Sequence, residues 1–164
     1  MPRPVAEPAA PVRAEPAVAS PPLPADAASV RVYFAPCAPA DPAGVDDALL
    51  ALLGSAASRI DCAFYELELI SVAEVLVAKH RAGVQVRVVS DSDYDDEPGV
   101  RACIAAGVPV VFDERGAFMH NKFCVVDGRY VWTGSTNITE NCMFRNNNNA
   151  LLIDAPLLAE HYAA

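Results

Sequence analysis

Apolar and polar positions follow two different periods along the chain, and together they predict an α/β fold. Strands are expected where short runs of β-branched and other apolar residues occur: residues 30–34, 60–65, 84–89, 108–112, 122–126, 130–133 and 150–153. Helices are expected where apolar residues recur every three or four positions: residues 45–57, the stripe from 69 to 77, residues 98–106, and a last helix opening at Pro156. Asp61 is interpreted as an interruption of the second strand.

The order of these elements sets the expected architecture. Strands and helices alternate in the first half, which predicts crossover connections and parallel strands. The second half is richer in strands, so the central sheet is expected to be mixed and only partly parallel, with flanking helices. Residues 29–164 carry the whole pattern and are read as one domain.

The first 28 residues have a different composition from the rest. They hold eight of the chain's 14 prolines and no aromatic residue. Such a segment buries too little apolar surface to offset its ordering entropy, so a disordered Ala/Pro-rich linker or tail is predicted. At the other end, the last predicted helix has barely two turns before Ala164, and we expect a domain truncated at its C-terminus.

Charge and hydropathy limit the classes of partner. The formal net charge is −9, which argues against a broad grip on nucleic acid but leaves room for a local basic pocket. No apolar run is long enough to span a bilayer, so stable membrane insertion is not expected. No signal-peptide core is visible in this numbering, and the compartment stays open between a bacterial cytoplasm and export.

The five cysteines fall into two groups. Cys62, Cys103 and Cys124 lie in apolar segments and are interpreted as small buried hydrophobes. Cys37 and Cys142 lie in predicted loops, which leaves a disulfide between them open.

The residues with the clearest chemistry lie between His120 and Asn137. His120 and Lys122 stand two apart at the start of an apolar strand and are expected on one face. The Asp127-Gly128 turn then allows a hairpin that returns residues 134–137 to the same point. Lysine neutralises phosphate oxygens, amide and hydroxyl groups donate to them, and histidine can attack phosphorus or transfer protons. No cluster with metal-ligand spacing accompanies these residues, so a metal-independent mechanism without cofactors is expected.

The spacing of this segment is H-x-K-x4-D-x6-G-S-x-N, and it resembles the signature of the phospholipase D superfamily. Four further segments resemble the small bacterial nuclease branch of that family: Phe34-Ala-Pro36, Ala63-Phe-Tyr65, Arg81-Ala-Gly-Val84 and the Asn run from Arg145 to Asn149. The resemblance covers about residues 30–163. It implies a phospholipase D-like α/β sandwich and a phosphodiester hydrolase or transferase.

Members of this family work with two such motifs facing each other, whereas this chain has one. The resemblance therefore implies a homodimer with two motifs across a two-fold axis, or a second motif beyond residue 164. One His120 would attack phosphorus and become phosphohistidine, and the second histidine would protonate the leaving oxygen.

The resemblance also assigns roles to single residues. His120, Lys122 and Asp127 form the catalytic motif, with Asp127 expected to orient rather than to transfer protons. Lys122, Ser135 and Asn137 would bind the phosphate.

Two supporting residues complete the assignment. Gly134 would allow close approach of the backbone to the site. A related nuclease pattern has an acidic residue at the position that matches Asn148, and this acid can orient the histidine. The Asn148 amide can still accept a hydrogen bond from the imidazole, and Glu66 or Glu140 is a candidate to replace the missing carboxylate.

Two natural substrates stay open, nucleic acid and a phospholipid head group. The compact single-motif architecture slightly favours nucleic acid. The acidic stretch from Asp91 to Glu97 is interpreted as a solvated loop near the site rim that would repel polyanions. Two other classes compete: an inactive binding module that keeps the fold, and, more weakly, a metal-dependent hydrolase.

Overall fold

A computed structural model describes residues 29–39, 41 and 43–164, so the predicted tail at residues 1–28 lies outside the described residues. The strands are β1 Ser29–Ala35, β2 Arg59–Phe64, β3 Gln85–Ser90, β4 Val110–Phe112, β5 Lys122–Val126, β6 Tyr130–Gly134 and β7 Asn148–Asp154. The helices are α1 Val45–Ser55, α2 Ile70–Arg81, α3 Pro98–Ala105, α4 Glu140–Phe144 and α5 Pro156–Ala163. All seven predicted strands and all four predicted helices are present.

The described strands form one sheet in the order β1-β7-β6-β5-β2-β3-β4. β2, β3 and β4 run parallel to one another. The remaining neighbours are antiparallel. The prediction of a mixed, partly parallel sheet is therefore confirmed, and the parallel part comes from the segment where strands and helices alternate.

The sheet packs on helices through both faces, because successive side chains of a strand point to opposite sides. One face meets α1, α2 and α3 in the main core, where Phe64, Cys124 and Trp132 are buried together with Leu49 and Leu76. Among the described helices, α5 packs against the opposite face, through Val125, Val131 and Ala159. The result is an α/β sandwich whose two layers of helices differ in size.

Asp61 does not interrupt its strand, and this prediction was wrong. β2 runs through it, and its carboxylate is only 7% exposed on the α5 face. The Nε atoms of Arg59 and Arg87 each lie 2.6 Å from the Asp61 carboxylate. Two cationic partners thus allow a carboxylate to be buried within a strand.

One helix was missed at the level of sequence. α4 has five residues, too few for a helical stripe to be recognised. Thr139 defines its start, since the side chain accepts a hydrogen bond from the backbone N–H of Cys142. This short helix connects β6 to β7 directly beside the candidate site.

The cysteines are all free thiols in the described structure. Cys62, Cys103 and Cys124 are buried, as expected. Cys37 and Cys142 do not form the disulfide that the sequence left open; the Cys37 thiol lies instead 3.3 Å from a carboxylate oxygen of Asp46. Among the described helices, none has the length and apolar character needed to cross a bilayer.

Candidate active site

The sequence-predicted residues converge at one end of the sheet, where β2 and β6 end and β5 and β7 begin. Phe64 lies opposite Lys122 across the β2–β5 pair, and Gly134 lies opposite Ala150 across the β6–β7 pair. This alignment places His120, Lys122, Gly134, Ser135 and Asn148 at the same edge. The hairpin interpretation from sequence predicted this grouping.

His120 and Lys122 share an aromatic partner. The imidazole of His120 and the ring of Tyr65 meet edge to face with centroids 4.6 Å apart. The Lys122 ammonium lies 4.8 Å from the centroid of the same ring and donates to the backbone carbonyl of His120 at 3.0 Å. Burial lowers the pKa of Lys122, while negative charge on Glu66 and Cys142 opposes that effect. Tyr65 therefore contacts the side chains of both motif residues.

Asn137 is held by a carboxylate. Its Nδ2 donates to Oε2 of Glu66, and its Oδ1 is buried without a hydrogen-bond partner among the described residues. Burial raises the pKa of Glu66, and the neighbouring Glu68 raises it further, whereas the charges of Lys122 and His120 lower it. Glu66 is thus close enough to Lys122 and His120 for their charges to affect its pKa.

Ser135 and Asn148 form a second hydrogen-bonded pair. The Ser135 hydroxyl donates to Oδ1 of Asn148 at 3.0 Å and accepts from the backbone N–H of Asn149 at 3.0 Å. Nδ2 of Asn148 donates to the carbonyl of Cys142 at 3.2 Å. The expected hydrogen bond from the His120 imidazole to Asn148 is absent, and that amide oxygen accepts from the Ser135 hydroxyl instead.

Asp127 is the one motif residue that the structure does not bring to the site. It follows β5 at the opposite end of the strand from His120. Its carboxylate accepts hydrogen bonds from the backbone N–H groups of Ala57, Ser58 and Arg59 and from the Ser58 hydroxyl. This placement leaves it no contact with the reacting group and ties the β5–β6 turn to the start of β2.

The acidic stretch after β3 is not a solvated loop throughout, and that interpretation was wrong for its first residue. Asp91 is only 2% exposed and accepts hydrogen bonds from the backbone N–H groups of Asp93 and Met119. The second bond, 2.6 Å long, anchors the segment that leads into His120. Further along, burial raises the pKa of Glu97 to about 7, and the nearby charges of Glu66, Glu68 and Asp96 add to the increase.

Sequence reasoning missed Tyr65 and Asp91 as parts of the site. Tyr65 is 7% exposed and its hydroxyl lies 2.9 Å from that of Tyr94, a contact that raises the pKa of Tyr65. Both residues follow the C-terminal ends of neighbouring parallel strands, where side chains meet at one edge. That position in the sequence was the available signal.

An exposed aromatic residue lies beside the site: Phe118 is 63% exposed and its ring centroid lies 5.5 Å from that of Tyr65. Phe34, 72% exposed, lies on the edge strand β1, opposite Asn149 of β7. Within residues 29–39, 41 and 43–164, no group of three or more His, Cys, Asp and Glu residues is arranged to hold a metal ion.

A mixed-sheet α/β sandwich with a His-Lys-Ser-Asn cluster at one sheet edge is the architecture of a phospholipase D-like domain, and the chain belongs to that family. Residues 49–164 match the family described as cardiolipin synthase, PLD-like domain. Among solved structures, the phospholipase D family member Nuc from Salmonella typhimurium superposes with a TM-score of 0.72. It is 27% identical, and the match covers 83% of this chain and 90% of Nuc.

Curated relatives carry the name mitochondrial cardiolipin hydrolase. The Xenopus laevis protein is 39% identical over 116 residues, which is 70% of this chain and 55% of that protein. The Homo sapiens protein is 33% identical over 108 residues, 65% of this chain and 43% of that protein. The chain spans about half the length of the curated relatives it matches. NucT from Helicobacter pylori, 16% identical with a TM-score of 0.69, supports the fold alone.

Proposed function

We propose that this domain is a metal-independent phosphodiester hydrolase or transferase that works through a phosphohistidine intermediate. The observation that carries the proposal is the convergence of His120 and Lys122 on Tyr65, beside the Glu66-held Asn137 and the Ser135–Asn148 pair. These are a nucleophile, a cation and neutral hydrogen-bond groups around one point. Names of similar proteins, a cardiolipin hydrolase and the phospholipase D family member Nuc, agree with phosphodiester chemistry.

The reaction follows from these groups. A nitrogen of the His120 imidazole attacks phosphorus while the bond from phosphorus to the leaving oxygen breaks. The His120 of a second copy gives its proton to that oxygen. It then takes a proton from water, whose oxygen attacks phosphorus and releases His120 and a phosphomonoester.

The other side chains stabilise charge on the phosphoryl oxygens. The Lys122 ammonium is fixed by the His120 carbonyl and the Tyr65 ring, so it supplies a positioned positive charge. One Nδ2 hydrogen of Asn137 binds Glu66, and the second remains for a phosphoryl oxygen. Ser135, held by Asn148 and Asn149, supports the corner of the site.

The partner in this mechanism is a second copy of the chain. A single copy supplies one motif histidine, His120, and the reaction needs a nucleophile and an acid. We therefore infer a homodimer whose two motifs form a joint site, with a second motif beyond residue 164 as the alternative source of that histidine.

Nuclease-like activity is the first candidate, on the likeness to Nuc in fold. A phospholipid head group is the second, because Phe118 is exposed beside Tyr65 of the site and the surrounding carboxylates disfavour long polyanions. Phosphodiester cleavage is common to both. The choice between them is tested with DNA and RNA oligonucleotides against vesicles that contain cardiolipin.

The first test is turnover of bis(p-nitrophenyl) phosphate in EDTA by the wild type and by His120→Ala. We expect the variant to lose activity by about 10³-fold or more, since the nucleophile is removed. His161→Ala, which changes a histidine on α5, is the matched control and should keep wild-type turnover. Mass spectrometry of a rapidly quenched reaction should detect a phosphorylated peptide that contains His120.

Each contrary outcome has a distinct meaning. Turnover that survives in His120→Ala rules out the histidine nucleophile, and turnover abolished by EDTA rules out the metal-independent route. A folded dimer without turnover on any of the substrates supports the binding-module alternative. Inactivity of a monomer indicates that the second motif is missing.

A further inference from the structure

Glu66 lies directly beside the segment that carries His120. Across the β2–β5 pair, Phe64 is opposite Lys122, and the backbone N–H of Tyr65 donates to the carbonyl of Asn121 at 2.8 Å. Tyr65, the residue before Glu66, also contacts the His120 imidazole, with ring centroids 4.6 Å apart. The Glu66 carboxylate binds the Asn137 amide, so it lies in the same side-chain cluster as His120 and Lys122.

We propose that Glu66 is the positioning carboxylate of this site, which stabilises the protonated His120 imidazole and aligns the Asn137 amide. The proposal rests on the proposed function for its catalytic meaning. It assigns to the end of β2 the task that, in the related nuclease pattern, belongs to an acidic residue at position 148.

Neither of the other candidates for this task is available. The two ends of the Asn148 amide are used by the Ser135 hydroxyl and the Cys142 carbonyl. Glu140 forms an exposed salt bridge with Arg145, with a nitrogen–oxygen distance of 2.7 Å. Glu66, in contrast, is half-buried, bonded to Asn137 and within electrostatic reach of His120.

The charges around Glu66 come from three elements. Lys122 and His120 approach from the start of β5, Glu68 follows on the same segment, and Glu97 faces it from the start of α3. The two cations favour the ionised carboxylate and the two acids oppose it. Interaction between two charges is reciprocal, so an ionised Glu66 must stabilise the imidazolium form of His120 by the amount that His120 stabilises the carboxylate.

The test separates this charge from the hydrogen bond. Glu66→Gln keeps an oxygen that accepts from Asn137 but removes the negative charge. Glu140→Gln is the matched control, because it removes a negative charge from the exposed Glu140–Arg145 pair. The titration of the His120 imidazole is followed by NMR at low salt in the full chain, with its signal assigned by its absence from His120→Ala.

We expect the titration midpoint of His120 to move to lower pH in Glu66→Gln, by roughly 0.5–1 unit, because the imidazolium loses an opposite charge. Glu140→Gln should leave it unchanged. In the active dimer, both limbs of the pH profile of kcat/KM should move to lower pH in Glu66→Gln, since both His120 copies lose the same support.

An unchanged His120 midpoint in a folded Glu66→Gln protein overturns the proposal, as does an equal shift in Glu140→Gln. The NMR measurement needs no turnover. A shifted midpoint in a chain that cleaves nothing would therefore keep the assignment of Glu66 while the proposed function fails.

Discussion

At the scale of single residues, Gly134 is the described glycine at which neighbouring backbone leaves the least space for a side chain. It lies between Thr133 of β6 and Ser135, and its φ of 154° is in the region that L side chains rarely adopt. A Cβ atom built there would be 2.3 Å from the carbonyl oxygen of Asn149. Ser135 and Asn137 are thus placed by a close approach of two strands that only glycine permits.

Gly134→Ala is expected to reduce the free energy of unfolding by about 2 kcal/mol or more, because the new methyl group meets backbone rather than a flexible side chain. Turnover should fall as well, since Ser135 would be displaced. Chemical denaturation measures the first effect and the phosphodiester assay the second.

Gly54→Ala is the matched control. Gly54 lies in α1 with open space at its Cβ position, so alanine should stabilise the helix by about 0.5–1 kcal/mol. A Gly134→Ala protein as stable as the wild type would mean that β6 and β7 do not approach as described.

The residues of the candidate site were predictable to different degrees. His120, Lys122, Ser135 and Asn137 follow from spacing and hairpin geometry, because the strand period and the turn bring them together. Tyr65 and Asp91 do not, since their contacts cross between strands distant in sequence. The role of Asn148 depends on which acceptor the Ser135 hydroxyl selects, and a linear pattern carries no such information.

At the scale of elements, the β5–β6 hairpin has a turn that sequence could identify. Asp127 and Gly128 both have positive φ, 53° and 62°, as a type I′ hairpin turn requires. Burial favours the neutral form of the Asp127 carboxyl, but hydrogen bonds from Ala57, Arg59 and Ser58 outweigh it and lower the pKa to about 2. The turn therefore also anchors the start of β2.

Asp127→Asn should destabilise the fold by about 1–2 kcal/mol, because the asparagine amide has one acceptor oxygen where the Asp127 carboxylate has two. Asparagine tolerates the positive φ, so the backbone of the turn should be retained. Thermal unfolding at pH 7 measures the difference. An unchanged stability would remove Asp127 from its anchoring role.

The pH dependence has a definite sign. The folded pKa of Asp127 is depressed, so its contribution to stability is present above about pH 4 and is lost as the pH falls toward 2. The gap between wild type and Asp127→Asn should close over that window. A gap that stays constant down to pH 2 would contradict the assigned hydrogen bonds.

The elements were easier to predict than their details because burial follows period. β3 alternates exposed and buried residues along its whole length, and from Gln85 to Val88 its polar and apolar residues alternate in the same way. Asp61 and Asp91 were misjudged because each is a carboxylate that its partners allow to be buried: Arg59 and Arg87 for Asp61, and the backbone N–H groups of Asp93 and Met119 for Asp91. A polar residue in a sequence does not by itself indicate such partners.

At the scale of the whole molecule, the proposed joint site makes activity depend on assembly. If each site needs one His120 from each of two copies, a mixed dimer of wild type and His120→Ala is inactive. Refolding the two together should lower the activity per wild-type chain in proportion to the wild-type fraction, because random pairing leaves that fraction in fully wild-type dimers. Activity per wild-type chain that does not depend on the mixture would contradict the shared site.

The pairing of β1 has a consequence for the order of events during synthesis. β1 lies at an edge of the sheet, and among the described strands its only neighbour is β7, with Ser29 opposite Asp154. Of the described strands, the first to leave the ribosome therefore pairs only after the last has been made. Until then Val30, Val32 and Phe34 form an unpaired apolar strand, the kind of segment that adds to other chains. The nascent protein is therefore most exposed to misassembly before β7 emerges.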